Sequence, residues 1–201
     1  MTTTLNPTDK FPDWTLPNHE NRPITLSKLT APSPIDQRLK FHDGYPLIIV
    51  FYRGFYCPRD NVQMRQLVAF QKELRVNYCK MVAISVQPPQ VQAAFRAGLG
   101  ASWPFLSDEK RALIKALNIL DETEGEYAYP PQPYTFVLRP DLTIYKIYNG
   151  WFYIGRPSLD ELRQDLRTIM SSFANYGYES YTDPHVTQIR IPQQAWLDGA
   201  P

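Results

Sequence analysis

Leu47-Ile48-Ile49-Val50-Phe51-Tyr52, followed by Arg53-Gly54-Phe55-Tyr56-Cys57-Pro58, is the stretch on which the fold turns. Leucine followed by five β-branched and aromatic residues forms the pattern of a strand buried on both faces. A glycine-containing turn follows, and Cys57-Pro58 then opens a segment suited to helix, from Pro58 to about Leu74. Proline is favoured at a first helical position because the N–H it lacks would have had no partner there. Met81-Val82-Ala83-Ile84-Ser85-Val86 reads as the next buried strand. Strand, helix and strand at this spacing predict a βαβ unit, with parallel pairing and a right-handed crossover.

Further along, Pro88-Pro89 begins a helix that runs to about Gly98. A short helix is expected after Ser107, with Ser107 as its N-cap and Asp108 and Glu109 in its first turn. Thr135–Leu138 and Thr143–Tyr148 read as adjacent strands of an antiparallel hairpin, joined by the turn Arg139-Pro140-Asp141-Leu142. Ser158-Leu159-Asp160-Glu161 has the spacing of a capping box and begins an amphipathic helix that runs to about Phe173. These pieces predict an α/β fold, a mixed central sheet with helices on both faces. Residues 1–173 are expected to form this domain. Residues 174–201, with Tyr176, Tyr178, Tyr181, Pro184 and Trp196, are expected to be an extension that packs back on it or contacts a second subunit of a homodimer.

Composition narrows the function classes. A net charge of +1 leaves no electrostatic footprint for nucleic acid or an acidic membrane surface, so neither partner is expected. The opening MTTTLNPTDKF lacks the basic and apolar regions of a signal peptide, and two cysteines make no disulfide framework, so a cytoplasmic location is expected. His19, His42 and His185 lie at no ligand spacing, and no Gly-rich phosphate loop occurs, so no metal and no cofactor are expected. The aromatic cluster Tyr145, Tyr148, Trp151, Phe152 and Tyr153 reads as core or interface.

Cys57 is the one candidate nucleophile. A thiol attacks as thiolate, and the free N–H groups and dipole at a helix start favour that negative charge, with pKa values of roughly 3.5–7.5 in known cases. Arg53 and Arg59 would add positive potential. Asp60 can bond back to the exposed N–H groups as a helix cap, or serve the thiol as a proton acceptor, and its charge opposes the thiolate.

Several segments resemble one family in order. Phe11-Pro12-Asp13-Trp14-Thr15-Leu16-Pro17 and Ile24–Leu29 look like the opening of peroxiredoxins and related redoxins. Phe51–Pro58 is similar to the "FYRGxWCPxC" segment of the peroxiredoxin-like branch of the alkyl hydroperoxide reductase/thiol-specific antioxidant family. Phe105-Leu106-Ser107-Asp108 and Pro133–Leu138 resemble two further segments of it, and the likeness spans roughly residues 11–170. It implies a thioredoxin-like fold with Cys57 as nucleophile and Arg53 as a thiolate or peroxide stabiliser. Tyr52, Gly54, Gln132 and Pro133 are then the substrate-contacting positions.

Departures from that pattern matter as much. Gly54 stands where peroxiredoxins carry a threonine, Val50 where they carry a proline, and Pro133 where many carry an arginine that orients the peroxide. Pro133 is instead similar to the proline that thioredoxins keep cis, which would leave the Gln132 backbone free to bond an incoming peptide. Asp60 replaces the second cysteine of Cys-x-x-Cys, which excludes the two-thiol route. Cys79 precedes the next parallel strand and so falls at the opposite sheet edge, about 20 Å away for a six-residue strand. A disulfide needs Cα atoms within about 7 Å, so Cys79 is expected to be structural.

The expected activity is a one-cysteine peroxidase that reduces hydroperoxides with an external thiol. The alternatives are a monothiol oxidoreductase that forms mixed disulfides and a non-catalytic binding or sensing module.

Overall fold

The computed structural model describes residues 5–38 and 40–173, so the expected extension at 174–201 lies outside the described residues. Its centre is a five-stranded sheet built from β3 (Leu47–Phe51), β4 (Lys80–Ser85), β5 (Phe105–Ser107), β6 (Tyr134–Leu138) and β7 (Ile144–Asn149), in the order β5-β4-β3-β6-β7. β3 pairs parallel with β4, and β4 with β5. β6 runs antiparallel to β3, and β7 to β6. The sheet is mixed, as expected. Val50 pairs with Thr135 and Tyr134 with Asn149, so the end of β3, the start of β6 and the end of β7 meet at one edge.

The unbroken apolar run of β3 follows from burial on both sides. Ile48, Val50 and Tyr52 face one core layer and Leu47, Ile49 and Phe51 the other, all of them fully buried. The first layer is completed by α3 (Pro58–Val76), α4 (Pro89–Leu99) and α6 (Leu159–Met170), through residues such as Met64, Phe70, Phe95, Leu162 and Ile169. The second is closed by α5 (Ala112–Ala116) and α1 (Leu26–Thr30), with a two-stranded ribbon of β1 (Thr15–Pro17) and β2 (Pro23–Thr25). A short α2 (Pro34–Arg38) leads towards β3. The segment before β1 straps the sheet: Thr8 N–H donates to Ile144 O at 2.8 Å and Phe11 N–H to Leu142 O at 2.9 Å.

Ser158 and Glu161 form the expected reciprocal capping box at the start of α6. The cap of α5 differs from expectation. Ser107 ends β5 and its hydroxyl donates to Gln87 O. The buried Asp108 carboxylate accepts from Ala112 N–H and Ile114 N–H, both at 2.9 Å. Asp108 takes the role because Arg111 at the helix start is left-handed (φ 58°), which turns the free N–H groups back towards it. Among the described residues no helix is long and apolar enough to cross a membrane.

Candidate active site

β3 delivers the chain to the sheet edge at Tyr52, whose N–H still donates to Ile84 O. Arg53 to Tyr56 then turn back, closed by Cys57 N–H donating to Gly54 O at 3.1 Å. Cys57 is the N-cap of α3, with extended backbone and Pro58 at the first helical position, and its thiol is partly exposed. Asn61 braces the turn through its side-chain amide, which donates to Phe55 O at 2.7 Å and Cys57 O at 3.0 Å. From the next strand's end, Gln87 Oε1 accepts the Phe55 N–H at 3.1 Å.

Gly54 answers a local steric demand. Its φ is +153°, and a Cβ there would sit 2.5 Å from Tyr56 Cε1 and 2.9 Å from Cδ1. The Tyr56 ring therefore fills the space that a threonine side chain would need. That ring stacks on Tyr127, with centroids 3.8 Å apart, and its hydroxyl lies against the Arg53 guanidinium. Burial pushes the Tyr56 pKa up, and the Arg53 charge opposes the rise.

Arg53 and Asp60 are both committed to partners. Arg53 Nη2 lies 3.0 Å from Asp121 Oδ2, an ion pair whose acid is nearly buried. Asp60 is 0% exposed because it lies on the stripe of α3 that faces the core, with Gln63, Met64, Leu67, Phe70 and Leu74. A buried carboxylate requires partners, and Asp60 finds two. Oδ2 accepts the Arg53 N–H at 2.7 Å, and Oδ1 lies 2.6 Å from Nη1 of Arg156. Asp60 is thus not the reciprocal cap of its own helix. It ties the helix start to the preceding loop and to a cation brought from 96 positions further along the chain, the difference of 156 and 60.

Two more expectations are corrected. Tyr52 does not face the site: it is fully buried, with its ring against Phe95 and Phe105 at 5.8 and 5.7 Å, because the inward alternation of β3 continues through it. The peptide before Pro133 is trans, there being no cis peptide among the described residues. Gln132 N–H is not open to a peptide either, since it donates to Ile119 O at 2.7 Å and holds the 119–132 loop closed. Pro133 is buried and its carbonyl accepts from Gly150 N–H at 2.7 Å.

Gln132 instead lines an open cavity of about 390 Å³ at the same edge, with Asn149, Trp151, Phe152, Ile154 and Gly155. Of the aromatic cluster after β6, Tyr148 is core, whereas Trp151 and Phe152 are exposed. Cys79 lies before Lys80, which pairs with Leu47 at the far edge of the sheet, and burial pushes its thiol up to about 12.

Sequence reasoning missed Asp121 and Tyr127, and it gave Arg156, whose Arg156-Pro157 segment resembles the same branch of the family, no chemistry. For Arg156 a signal existed: Asp60 shares the apolar stripe of α3, so a cation had to reach it, and the segment before the last helix offered one.

Against known proteins, the model of the AhpC/TSA family matches residues 7–147. No curated protein matches the chain. Among solved structures, peroxidoxin BcpB from Mycobacterium tuberculosis is similar at TM-score 0.65 and 23% identity, covering 83% of this chain and 97% of that one. AhpC of Enterococcus faecalis gives 0.64 and 15%, covering 92% and 98%. PrxQ of Xylella fastidiosa gives 0.62 and 16%, covering 84% and 98%. At these identities the likeness establishes a shared fold.

Proposed function

The chain belongs to the AhpC/TSA family, and from that premise we propose that it is a thiol peroxidase in which Cys57 is the reacting group. The observation that carries the reading is the placement of one partly exposed thiol at the N-cap of a 19-residue helix, at the edge where the 52–57, 119–132 and 149–156 segments converge. The helix terminus presents free N–H groups that favour thiolate over thiol.

In the proposed cycle the Cys57 thiolate attacks the distal oxygen of a hydroperoxide. An S–O bond forms, the O–O bond breaks, and the departing alkoxide takes a proton to leave as an alcohol, or as water from hydrogen peroxide. Cys57 is left as sulfenic acid. An external thiol condenses with it, releasing water and giving a mixed disulfide. A second external thiol attacks that disulfide, so two thiols are oxidised for each peroxide reduced. Arg53 is the proposed donor to the peroxide and thiolate, its guanidinium held beside the turn by Asp121. Asp60 is a poor candidate for the proton acceptor, because both its oxygens are engaged.

The monothiol alternative is less well supported, since the backbone donor it needs at Gln132 is already bonded to Ile119. The test uses a Cys79→Ala background. Reduced protein is mixed with one equivalent of hydrogen peroxide or cumene hydroperoxide, and sulfenate is trapped with dimedone. Formation at Cys57 should greatly outpace that of free cysteine and vanish in Cys57→Ser. A rate no faster than the free thiol overturns the reading.

A further inference from the structure

The turn that carries Cys57 also holds a buried hydroxyl without a task. Tyr56 Oη is shielded from solvent and has no hydrogen-bond partner among the described residues. The Arg53 guanidinium lies beside it, and a charge on Cys57 is felt at its oxygen. Arg53 commits Nη2 to Asp121, while its Nε is buried and equally without a partner. Buried polar groups are almost always bonded, so two orphaned donors on neighbouring side chains need a reason. A ligand that brings an accepting oxygen next to the thiol would satisfy both. The ring that carries the hydroxyl is held in place. It stacks on Tyr127, with centroids 3.8 Å apart and 14° between the planes, and meets Phe55 edge-on at 6.0 Å. It also fills the space over Gly54, where a Cβ would sit 2.5 Å from Tyr56 Cε1. Gly54 and Cys57 close one turn through the Cys57 N–H, so ring and thiol share that turn. The similar segment "FYRGxWCPxC" has tryptophan at this position, which offers no hydroxyl.

We infer that the Tyr56 hydroxyl donates the proton to the oxygen that leaves when Cys57 attacks a hydroperoxide. The inference rests on the peroxidase reading and assigns the proton that its first step requires. As the S–O bond forms, the distal oxygen keeps its hydrogen and becomes the sulfenic acid. The O–O electron pair moves to the other oxygen, which takes the phenol proton and departs as an alcohol, or as water from hydrogen peroxide. The phenolate left beside the Arg53 guanidinium recovers a proton from solvent water. A phenol has a pKa of about 10 and water one of about 15.7, so transfer to hydroxide or an alkoxide runs downhill. Arg53 cannot supply that proton, because a guanidinium stays protonated in proteins. Burial keeps the phenol protonated at neutral pH. A donor fixed before the substrate arrives needs no reorganisation as charge develops.

The test uses Tyr56→Phe, which keeps the ring and its stack and removes only the hydroxyl, in a Cys79→Ala background. Sulfenate formation at Cys57 is timed with hydrogen peroxide and with peracetic acid, whose leaving acetate needs no proton. Tyr56→Phe should slow the reaction with hydrogen peroxide about 100-fold and that with peracetic acid by no more than about threefold. The pH midpoint of Cys57 alkylation by iodoacetamide should stay at the parent value, since the hydroxyl serves the leaving oxygen and not the thiolate. A hydroxyl that merely positioned the turn would slow both oxidants alike, and that result overturns the inference. So does an unchanged rate with hydrogen peroxide in a variant of a fast parent, which leaves the peroxidase reading standing. A parent no faster than free cysteine sinks the peroxidase reading and the inference with it.

Discussion

At the scale of single residues, Gly54 and Tyr56 show one substitution compensating another. The position that carries threonine in peroxiredoxins is glycine here, and the adjacent aromatic ring occupies the vacated space and stacks on Tyr127. Restoring the threonine should therefore harm the protein. Gly54→Thr places a β-branched residue at φ +153° and drives its side chain into the ring, at a cost of about 1–3 kcal/mol in urea unfolding. Combining it with Tyr56→Ala should cost less than the sum of the two single changes, because the clash is then gone. Strict additivity would show that the ring is not what excludes the threonine. The departure at Gly54 was legible in the sequence as a missing hydroxyl. The reason for it was not, since the space around a glycine is set by where a neighbouring ring points.

At the scale of elements, the helices separate into those whose ends were written locally and those whose ends were not. α6 begins with Ser158 and Glu161, each accepting from the other's backbone N–H, a motif contained in four residues and readable as such. The Ser158 N–H and, at 2.9 Å, the Ser158 hydroxyl both donate to Glu161 and hold that carboxyl below its ordinary value, and Ser158→Ala removes the second of these bonds. The carboxyl's contribution to stability is present above the unfolded-state value and is lost as pH falls through the lower, folded-state one. Ser158→Ala should accordingly cost about 1 kcal/mol at neutral pH, and less in acid once Glu161 is protonated in both states. Thermal unfolding of both proteins across pH checks it, and a cost that does not shrink in acid would overturn it. α5 was harder to read, because its cap depends on a left-handed Arg111 that makes Asp108 and not Ser107 the acceptor. β1, β2, α1 and α2 are only three to five residues long and carry too few periodic positions to be identified. The long α3 was readable as a helix. That Asp60 and Gln63 ride on its buried stripe became meaningful only once Arg156 was seen to meet them.

At the scale of the whole molecule, the sheet order places the two thiols at opposite ends of one strand pair. Leu47 pairs with Lys80, so Cys79 lies at least the length of β3 away from Cys57, about 16 Å for five residues. No internal disulfide can span that gap. Oxidised protein mapped by peptide mass should therefore show Cys57 as sulfenate, as a mixed disulfide or joined to a second chain, and never linked to Cys79 within one chain. Finding that internal link in folded protein would contradict the topology. The separation was legible before the structure, because strand order in a βαβ unit determines which edge each connecting residue occupies. The assembly of the site was not, since Asp121, Tyr127 and Arg156 reach Arg53, Tyr56 and Asp60 around the thiol from loops whose register depends on the finished sheet. The distance between the thiols has an electrochemical consequence. On the proposed cycle, Cys57 alone gives up both electrons to the peroxide, and with no second thiol of the chain within reach both must come back from donor thiols in solution. The protein's current is set by how fast donor thiols arrive from solution, so its output in a cell should follow the donor pool more closely than its own abundance.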